Sequence, residues 1–343
     1  MTKLLNADGT PMRRGPSSRF TKDAMMTYDR MTIDGTGAFL IGELERLDQK
    51  VHEPLLIYTW SRDINIREDV TIADEQSSFT NSSFASPGGI QPGGKAWIST
   101  DANAISGVAL DIGKTVNPLY LWGMEIKYTI PELLSASKLG RPVDAQKFDA
   151  MRIKHQMDID EQVYIGDALF NKPGLCTNTG VGTIGNVANG AIGSPLWTQK
   201  TPTEILADVN TLLTNVWTAA AYAVVPSKLL LPPTNYSYII QELISSAGNQ
   251  SIMRYLMQNS ICLQANGREL DIQPVKWLVG RGTSGTNRMV AYTQDIDRVR
   301  FPLVPLQRTP LEYRSLYQMC TYFGRLGVVE FPYPETVGYA DGI

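Results

Sequence analysis

The chain has 343 residues, of which 43% are hydrophobic and 19% are charged, and its formal net charge is −3 at pH 7. This size and apolar content suffice for one large domain or two modest ones, whereas the near-neutral charge argues against a protein that recognises nucleic-acid sequence. The three cysteines, Cys176, Cys262 and Cys320, are far apart and odd in number, which favours buried free thiols in a reducing compartment.

Neither a signal peptide nor a membrane span is evident. The N-terminal residues lack an apolar stretch, and no apolar run reaches the roughly 18 residues that cross a bilayer. We therefore expect a soluble protein of the cytoplasm.

The first 33 residues are polar and gather Arg13, Arg14, Arg19 and Lys22 among prolines and glycines. Two interpretations stay open for this segment: a solvated basic arm, or an arm that straps a neighbouring subunit. A helix is predicted over residues 36–51, because Asp34 can cap it and leucines follow at helical spacing.

About fifty residues between Arg67 and Asn117 have too few apolar side chains for a core of their own. Alternating runs at 57–66 and 108–116 flank this polar segment and predict the two arms of a long hairpin, with Pro87 and Gly88 at its tip. Such an excursion is expected to lie on a neighbouring subunit. The predicted contact residues of the hairpin are Phe79, Phe84, Pro87, Gly88, Lys95 and Trp97, although Lys95 and Trp97 could instead fold onto the hairpin itself.

A strand over 119–130 precedes a long helix that begins near Pro142 and Asp144 and ends at Gly166. Its predicted buried stripe follows spacings of three and four residues and comprises Phe148, Met151, His155, Ile159 and Val163.

Downstream of a glycine-rich loop at 171–200, Thr201, Pro202 and Glu204 predict a capped helix start. Helices are predicted at 236–246 and 252–258, and Asn266 and Gly267 predict a hairpin turn. Strands are predicted at 229–231, 276–279, 288–293 and 328–331. The pattern is that of an α+β body.

No set of residues points to catalysis. The stretch from Gly180 to Gly185 matches G-x-G-x-x-G but lacks the preceding strand and the following helix of a dinucleotide site. His155 is expected in the core and His52 at a helix end. Asp158, Asp160 and Glu161 are interpreted as a solvated helix face rather than a metal site. We predict no catalytic, cofactor-binding or metal-binding residues, and no enzyme.

The order of these elements resembles the major capsid protein of tailed bacteriophages with the Hong Kong 97-like fold. The resemblance rests on the long helix that ends in Tyr164-Ile165-Gly166-Asp167, on the segments at 228–236 and 287–292, and on the C-terminal stretch from residue 324. It covers most of residues 36–343.

The resemblance implies an N-terminal arm and short helix at 1–54 and an extended loop at 55–120. It also implies a peripheral domain at 121–200 and 311–343 with a spine helix at 143–166, and an axial domain at 201–310. The resemblance further implies that pentamers and hexamers form an icosahedral shell around double-stranded DNA. This shell is expected to assemble in the bacterial cytoplasm and to be part of the virion.

The resemblance makes scaffold, portal and decoration proteins possible partners, and expects no membrane and no cofactor. Lys95 is a candidate for the subunit crosslink of some family members, but no asparagine or catalytic carboxylate is identified as its counterpart. Three alternatives to the capsid interpretation stay open. They are a nanocompartment shell of the same fold around a cargo enzyme, a soluble enzyme that uses the glycine loop at 180–193, and a secreted adhesive or receptor-binding module.

Overall fold

The computed structural model describes residues 57–85, 108–139, 143–244 and 250–343. The predicted arm at 1–33, the helix at 36–51 and the hairpin tip at 87–97 lie outside these residues. The helices of the described part are α1 (Trp60–Asp63), α2 (Ile130–Leu139), α3 (Val143–Tyr164), α4 (Pro202–Ala219), α5 (Pro233–Gln241), α6 (Ile252–Asn259) and α7 (Ile261–Asn266). Its first strands are β1 (Asn65–Arg67), β2 (Gln76–Ala85), β3 (Ala109–Pro118), β4 (Tyr120–Thr129), β5 (Gly166–Asp167), β6 (Lys172–Pro173) and β7 (Gly182–Asn186). The later strands are β8 (Lys228–Leu231), β9 (Asp271–Pro274), β10 (Arg288–Tyr292), β11 (Arg300–Arg308), β12 (Glu312–Arg314), β13 (Tyr317–Leu326) and β14 (Val337–Asp341).

The long strand β13 organises one five-stranded sheet. It pairs antiparallel with β4 along its whole length, and with β11 and β12 along its other edge, while β1 joins β11 in parallel. The pairings of β1 with β11 and of β4 with β13 join residues that are distant in sequence, so this sheet forms only when early and late segments of the described chain meet.

The long helix α3 packs on this first sheet with the predicted stripe. Met151, His155, Ile159 and Val163 are buried, and Phe148 at the N-terminal end of the stripe is 39% exposed. The helix ends as predicted, because Gly166 adopts a positive φ of 79° and a Cβ there would lie 2.2 Å from the carbonyl oxygen of Lys172. The sequence prediction of α3 is confirmed.

His155 is placed in the core of this packing. It is 4% exposed, its ring lies edge-on to Trp122 at 4.6 Å between centroids, and neither ring nitrogen has a hydrogen-bond partner among the described residues. Burial lowers the pKa of His155, although the nearby Asp158 acts in the opposite direction. The ring is therefore held in its neutral form.

The second five-stranded sheet has the strand order β7-β14-β10-β8-β9, and its central strands β14, β10 and β8 are buried on both faces. Along β8, Leu229 and Leu231 pack into one hydrophobic cluster and Leu230 into the other. This division follows from the alternation of side chains along a strand. Helix α4 covers the first face, and its start has the predicted capping box between Thr201 and Glu204.

The short helix α1 lies between α3 and the second sheet and is fixed there by polar groups. Asp160 of α3 accepts hydrogen bonds from the backbone amides of Thr59 and Trp60, at 2.8 and 3.1 Å. Asp63 is fully buried, pairs with Lys228 at 3.1 Å and accepts a hydrogen bond from Tyr164. Burial raises the pKa of Tyr164, so its hydroxyl remains a donor.

The placement of α1 and β1 corrects the predicted first arm of the hairpin. Residues 57–66 were expected to run along the extended loop, but Trp60 and Ile64 are buried in the hydrophobic cluster that contains Leu230. The first arm is instead β2, which begins at Gln76. Alternation of polar and apolar residues over 57–66 fits a short helix followed by a core strand equally well, and burial decided between them.

Three further predictions downstream were wrong. Asn266 and Gly267 end helix α7, with Gly267 at φ 68°, because an Asn-Gly pair suits a left-handed helix end as well as a hairpin turn. The predicted strand at 276–279 contains a single turn of 3-10 helix. The predicted strand at 328–331 is reduced to one bridge between Glu330 and Arg300, since Pro332 follows at once and lacks a donor.

Sheet membership also differs from the predicted division at 201 and 310. Strand β14, from the C-terminal segment assigned to the peripheral domain, lies between β7 and β10 in the second sheet. Strand β11, from the segment assigned to the axial domain, pairs with β13 in the first sheet. The domain boundaries themselves stay a prediction.

Candidate assembly surfaces

The two strands β2 and β3 form a ribbon that is paired from Gln76 with Pro118 to Ala85 with Ala109. Ten residues in each strand give a length of roughly 30 Å at about 3.3 Å per residue. Apart from its last two residues, β3 is exposed along its length. A two-stranded ribbon of this kind is marginally stable in water unless another surface packs against it.

One face of the ribbon carries three large apolar side chains that are uncovered, with the exposed Lys114 among them. Leu110 and Ile112 are each 63% exposed, and Val116 is 42% exposed. Because alternate residues of a strand point to the same side, these three share one face, whereas Asp111 and Thr115 lie on the other. The uncovered face is a candidate contact surface, which we call the ribbon face (Leu110, Ile112 and Val116).

At its base the ribbon is attached to the body through Glu330, which is fully buried. Ser77 of β2, only 2% exposed, donates a hydrogen bond to the Glu330 carboxylate. Arg300 binds the same carboxylate at 2.7 Å, and Arg67 lies 3.3 Å from it. We call these four residues (Arg67, Ser77, Arg300 and Glu330) the base cluster.

Several contacts keep the base cluster in register. Arg67 also donates to the carbonyl of Ser78 at 3.1 Å, and the backbones of Arg300 and Glu330 exchange hydrogen bonds in both directions, at 3.2 and 2.8 Å. Arg67 is held at its other side by Asp69 at 2.6 Å. The same pairing lowers the pKa of Asp69 and raises that of Arg67.

Two contacts outside the base cluster secure the ribbon further. The side-chain amide of Asn81 donates to the carbonyl of Pro332 at 3.1 Å, two residues beyond Glu330. On the β3 side, Arg325 donates to the carbonyl of Leu119 at 3.2 Å and to that of Ile72 at 2.8 Å. Both strands of the ribbon are therefore tied to the first sheet.

A second exposed apolar surface lies at the far end of the first sheet. Tyr313 is 70% exposed, Leu316 61% and Tyr317 48%. The carbonyl of Leu316 accepts a hydrogen bond from the amide of Ile130, so the start of α2 adjoins this β12–β13 turn, and Leu134 one turn further along α2 is 61% exposed. We call this surface the sheet-end patch (Ile130, Leu134, Tyr313, Leu316 and Tyr317).

The predicted contact residues are only partly within the described chain. Arg13, Arg14, Arg19, Pro87, Gly88, Lys95 and Trp97 lie outside the described residues. Phe79 is half-buried near the ribbon base, and Phe84 pairs in register with Leu110. Their roles between subunits stay predictions. Sequence reasoning missed Ser77 and Glu330, whose relation no local pattern reveals. The alternation of Leu110, Ile112 and Val116 was visible, but it assigned no partner to that face.

The acidic cluster on α3 requires a correction. Asp160 was expected on a solvated face, yet it is 1% exposed and also accepts a hydrogen bond from the indole of Trp277 at 2.7 Å. Asp158 binds the indole of Trp122 at 2.9 Å, and only Glu161 is exposed. Within the described residues, no group of three or more His, Cys, Asp or Glu side chains could hold a metal ion.

The glycine-rich stretch forms an edge strand. Gly182–Asn186 is β7, which pairs in parallel with β14, and the next α-helix begins at Pro202. A dinucleotide-binding turn would instead lead from a strand end directly into a helix. In the described part of the chain, every helix is too short or too polar to cross a membrane.

Comparison with known proteins gives one family and many similar folds. A family model described as "Major capsid protein" matches residues 93–343. No curated protein matches the sequence.

Among solved structures, the capsid of Myoviridae phage XM1 aligns with a TM-score of 0.71 at 16% identity, covering 90% of this chain and 99% of the other. The capsid of Mycobacterium phage Bobi gives a TM-score of 0.52 at 11% identity, with 91% and 98% covered. That of cyanophage P-SCSP1u gives 0.51 at 12% identity, with 87% and 92% covered. At these identities the likeness concerns the fold.

Proposed function

Because the chain belongs to the major capsid protein family and has the α+β fold of phage capsids, we propose that copies of it form the icosahedral shell of a tailed bacteriophage, built of pentamers and hexamers around double-stranded DNA. The role is structural rather than enzymatic. The observation that carries this proposal is the ribbon face, whose three large apolar side chains the described part of the same chain leaves exposed. The finer domain division and the assembly of the shell in the host cytoplasm belong to the same proposal.

The ribbon face contacts a second copy of the chain. Three large apolar side chains on an exposed two-stranded ribbon are costly in water, at about 25 cal/mol for each Å² of apolar surface left uncovered. A shell of identical subunits supplies a covering surface for every ribbon, because a head-to-tail contact that closes gives rings. The sheet-end patch offers a second such contact, so that many modest interfaces reinforce one another.

Packaged DNA requires no sequence-reading surface on the shell. The net charge of −3 suits a container, since tight binding to DNA would require neutralising many phosphates with Lys and Arg. Arg13, Arg14 and Arg19 of the N-terminal arm are the proposed exception and face the interior or a neighbour. Scaffold, portal and decoration proteins are proposed partners.

The proposal is tested by expressing the full chain, alone and with co-expressed phage assembly proteins, and examining the products by electron microscopy and light scattering. Closed shells or rings of five and six are expected. A monomer under all these conditions would contradict the proposal. Shells that contain a guest enzyme instead of DNA when isolated from their natural source would favour the nanocompartment alternative.

The ribbon contact is tested by a matched pair of substitutions. Ile112→Lys places a charge on the ribbon face, whereas Ser83→Lys places the same charge at an exposed position on the opposite face, paired in register with Asp111. Shell yield is expected to fall at least about tenfold for Ile112→Lys, the equivalent of roughly 1.4 kcal/mol, and to stay near normal for Ser83→Lys. Equal yields from both variants would contradict the assignment of the face.

A further inference from the structure

The base cluster places a fully buried carboxylate between the ribbon and the body. Glu330 sits on neither β2 nor β3, yet it accepts a hydrogen bond from Ser77 and pairs with Arg300 at 2.7 Å. Two arginines flank it, and both are mostly buried, with side chains 19% and 18% exposed. A buried charge is costly unless it is paired and hydrogen-bonded, so this arrangement holds only in one geometry.

Glu330 is itself held by the backbone rather than by flexible contacts. Its amide donates to the carbonyl of Arg300 at 2.8 Å, and its carbonyl accepts from the Arg300 amide at 3.2 Å. Arg300 in turn is paired with Asn65 at the start of β1. The backbone of Glu330 is thus fixed to the first sheet, and its carboxylate bonds both that sheet and the ribbon.

Two side chains on the same face of β2 attach the ribbon to the body. Ser77 and Asn81 are four residues apart, so both lie on the face opposite to Leu110, Ile112 and Val116. Ser77 bonds Glu330, and Asn81 bonds the carbonyl of Pro332 at 3.1 Å. Two attachments along one strand fix both the direction of the ribbon and its rotation about its own axis, which a single attachment could not do.

We propose that Glu330 is a positioning residue for shell assembly: through Ser77, and together with the Asn81 contact, it holds the ribbon at one angle and rotation so that the ribbon face is presented outward to the next subunit. This inference rests on the proposed function. It assigns to a buried ion cluster the control of inter-subunit geometry, and hence of shell curvature.

The decisive variant is Ser77→Ala combined with Asn81→Ala, which removes both side-chain attachments of β2 and leaves the buried charges paired and the Arg67 contact to the Ser78 carbonyl in place. Ser83→Ala, on the same strand and exposed, is the matched control. Glu330→Gln is the second variant, since it keeps the shape of the side chain and removes its charge. Hydrogen exchange of the full unassembled chain, its thermal unfolding midpoint, and the diameter distribution of its shells are measured.

Amide exchange in 76–85 and 109–118 is expected to quicken at least about tenfold in the double variant, because hydrogen bonds to charged acceptors are among the stronger ones. The unfolding midpoint falls only slightly, by at most about 4 °C, amides that open locally elsewhere exchange as in the unaltered chain, and shells become fewer or irregular in diameter. Ser83→Ala matches the unaltered chain in every measurement. Glu330→Gln also quickens ribbon exchange, but it lowers the unfolding midpoint further, because Arg67 and Arg300 lose their shared counter-charge.

Two results would overturn the inference while the proposed function stands: unchanged exchange in the ribbon, or shells of normal yield and diameter from the double variant. An equal quickening in locally opening amides far from the ribbon would also overturn it, since the cluster would then be a general stabiliser. Failure of the unaltered chain to form shells under any condition would overturn the proposed function and this inference with it.

Discussion

The carboxylate of Asp160, in the long helix, accepts hydrogen bonds from the backbone amide of Trp60, which lies 100 residues earlier in the chain. The same carboxylate bonds Thr59 at 2.8 Å and the indole of Trp277 at 2.7 Å. One buried side chain therefore joins three segments that have no sequence proximity. It fixes the point at which the chain leaves the core toward the ribbon.

Replacing Asp160 with Ala is expected to destabilise the subunit by about 3–5 kcal/mol, because several buried donors would lose their acceptor at once. Glu161→Ala, at the exposed neighbouring position, is the control and should change the free energy of unfolding by less than about 0.5 kcal/mol. Denaturant unfolding of both variants measures the difference. Similar stabilities would show that solvent replaces these hydrogen bonds.

Gly166→Ala is expected to cost more than about 3 kcal/mol, since it adds steric overlap to an unfavourable backbone conformation. A Cβ at this position would lie 2.2 Å from the carbonyl oxygen of Lys172.

Gly193→Ala separates the two effects. Gly193 also has a positive φ, 85°, but nothing lies within 4 Å of an added Cβ. That variant should lose only about 1–2 kcal/mol, the backbone part alone. Equal losses in thermal or denaturant unfolding would mean that the turn after α3 shifts freely.

Thr201→Ala is expected to destabilise the subunit by about 1 kcal/mol, because it removes the capping side chain of α4. Thr201 accepts from the amide of Glu204, whose side chain bonds the Thr201 amide in return at 2.7 Å. Thr214→Ala, in the exposed middle of the same helix, should change stability by less than about 0.5 kcal/mol. Urea unfolding of the two variants measures the losses in the free energy of unfolding. Equal losses would show that the cap does not stabilise the helix.

Acid should lower the free energy of unfolding of the subunit, and the titration of His155 should account for part of this loss. Its pKa is lowered in the folded protein by burial, whereas in the unfolded chain it lies near about 6.5. Above that pH the ring is neutral in both states. Below it the unfolded chain binds a proton that the folded chain cannot, so the free energy of unfolding decreases until the pH reaches the folded pKa.

His155→Leu should remove this part of the acid loss, because leucine fills a similar space and does not titrate. Chemical unfolding of both proteins at several pH values between about 7.5 and 5 measures the slopes. A shallower slope for the variant below about pH 6.5 is expected. Parallel slopes would mean that His155 has the same pKa in the folded and the unfolded chain, so that burial and Asp158 offset each other.

Local order was largely predictable from the sequence. The stripe of α3, its end at Gly166 and the capping box of α4 each depend on residues within a few turns of one helix, where spacing and backbone preference decide the outcome. The strand at 229–231 was also predicted, since this apolar run is short for a helix and Pro232 and Pro233 close it. The order of these elements also indicated the family.

The tertiary structure alone decided which segments meet. The pattern at 57–66 is compatible with an arm of the ribbon, but in the fold Trp60 and Ile64 are buried in the core. The Asn-Gly pair at 266–267 is compatible with a hairpin turn, but in the fold it ends helix α7. Ser77 and Glu330 carry no local signal, because their contact spans 253 residues. The periodicity of a sequence shows which residues of one helix or strand share a face. The partners of a buried charge depend on the free energy of the whole fold, which no single segment contains.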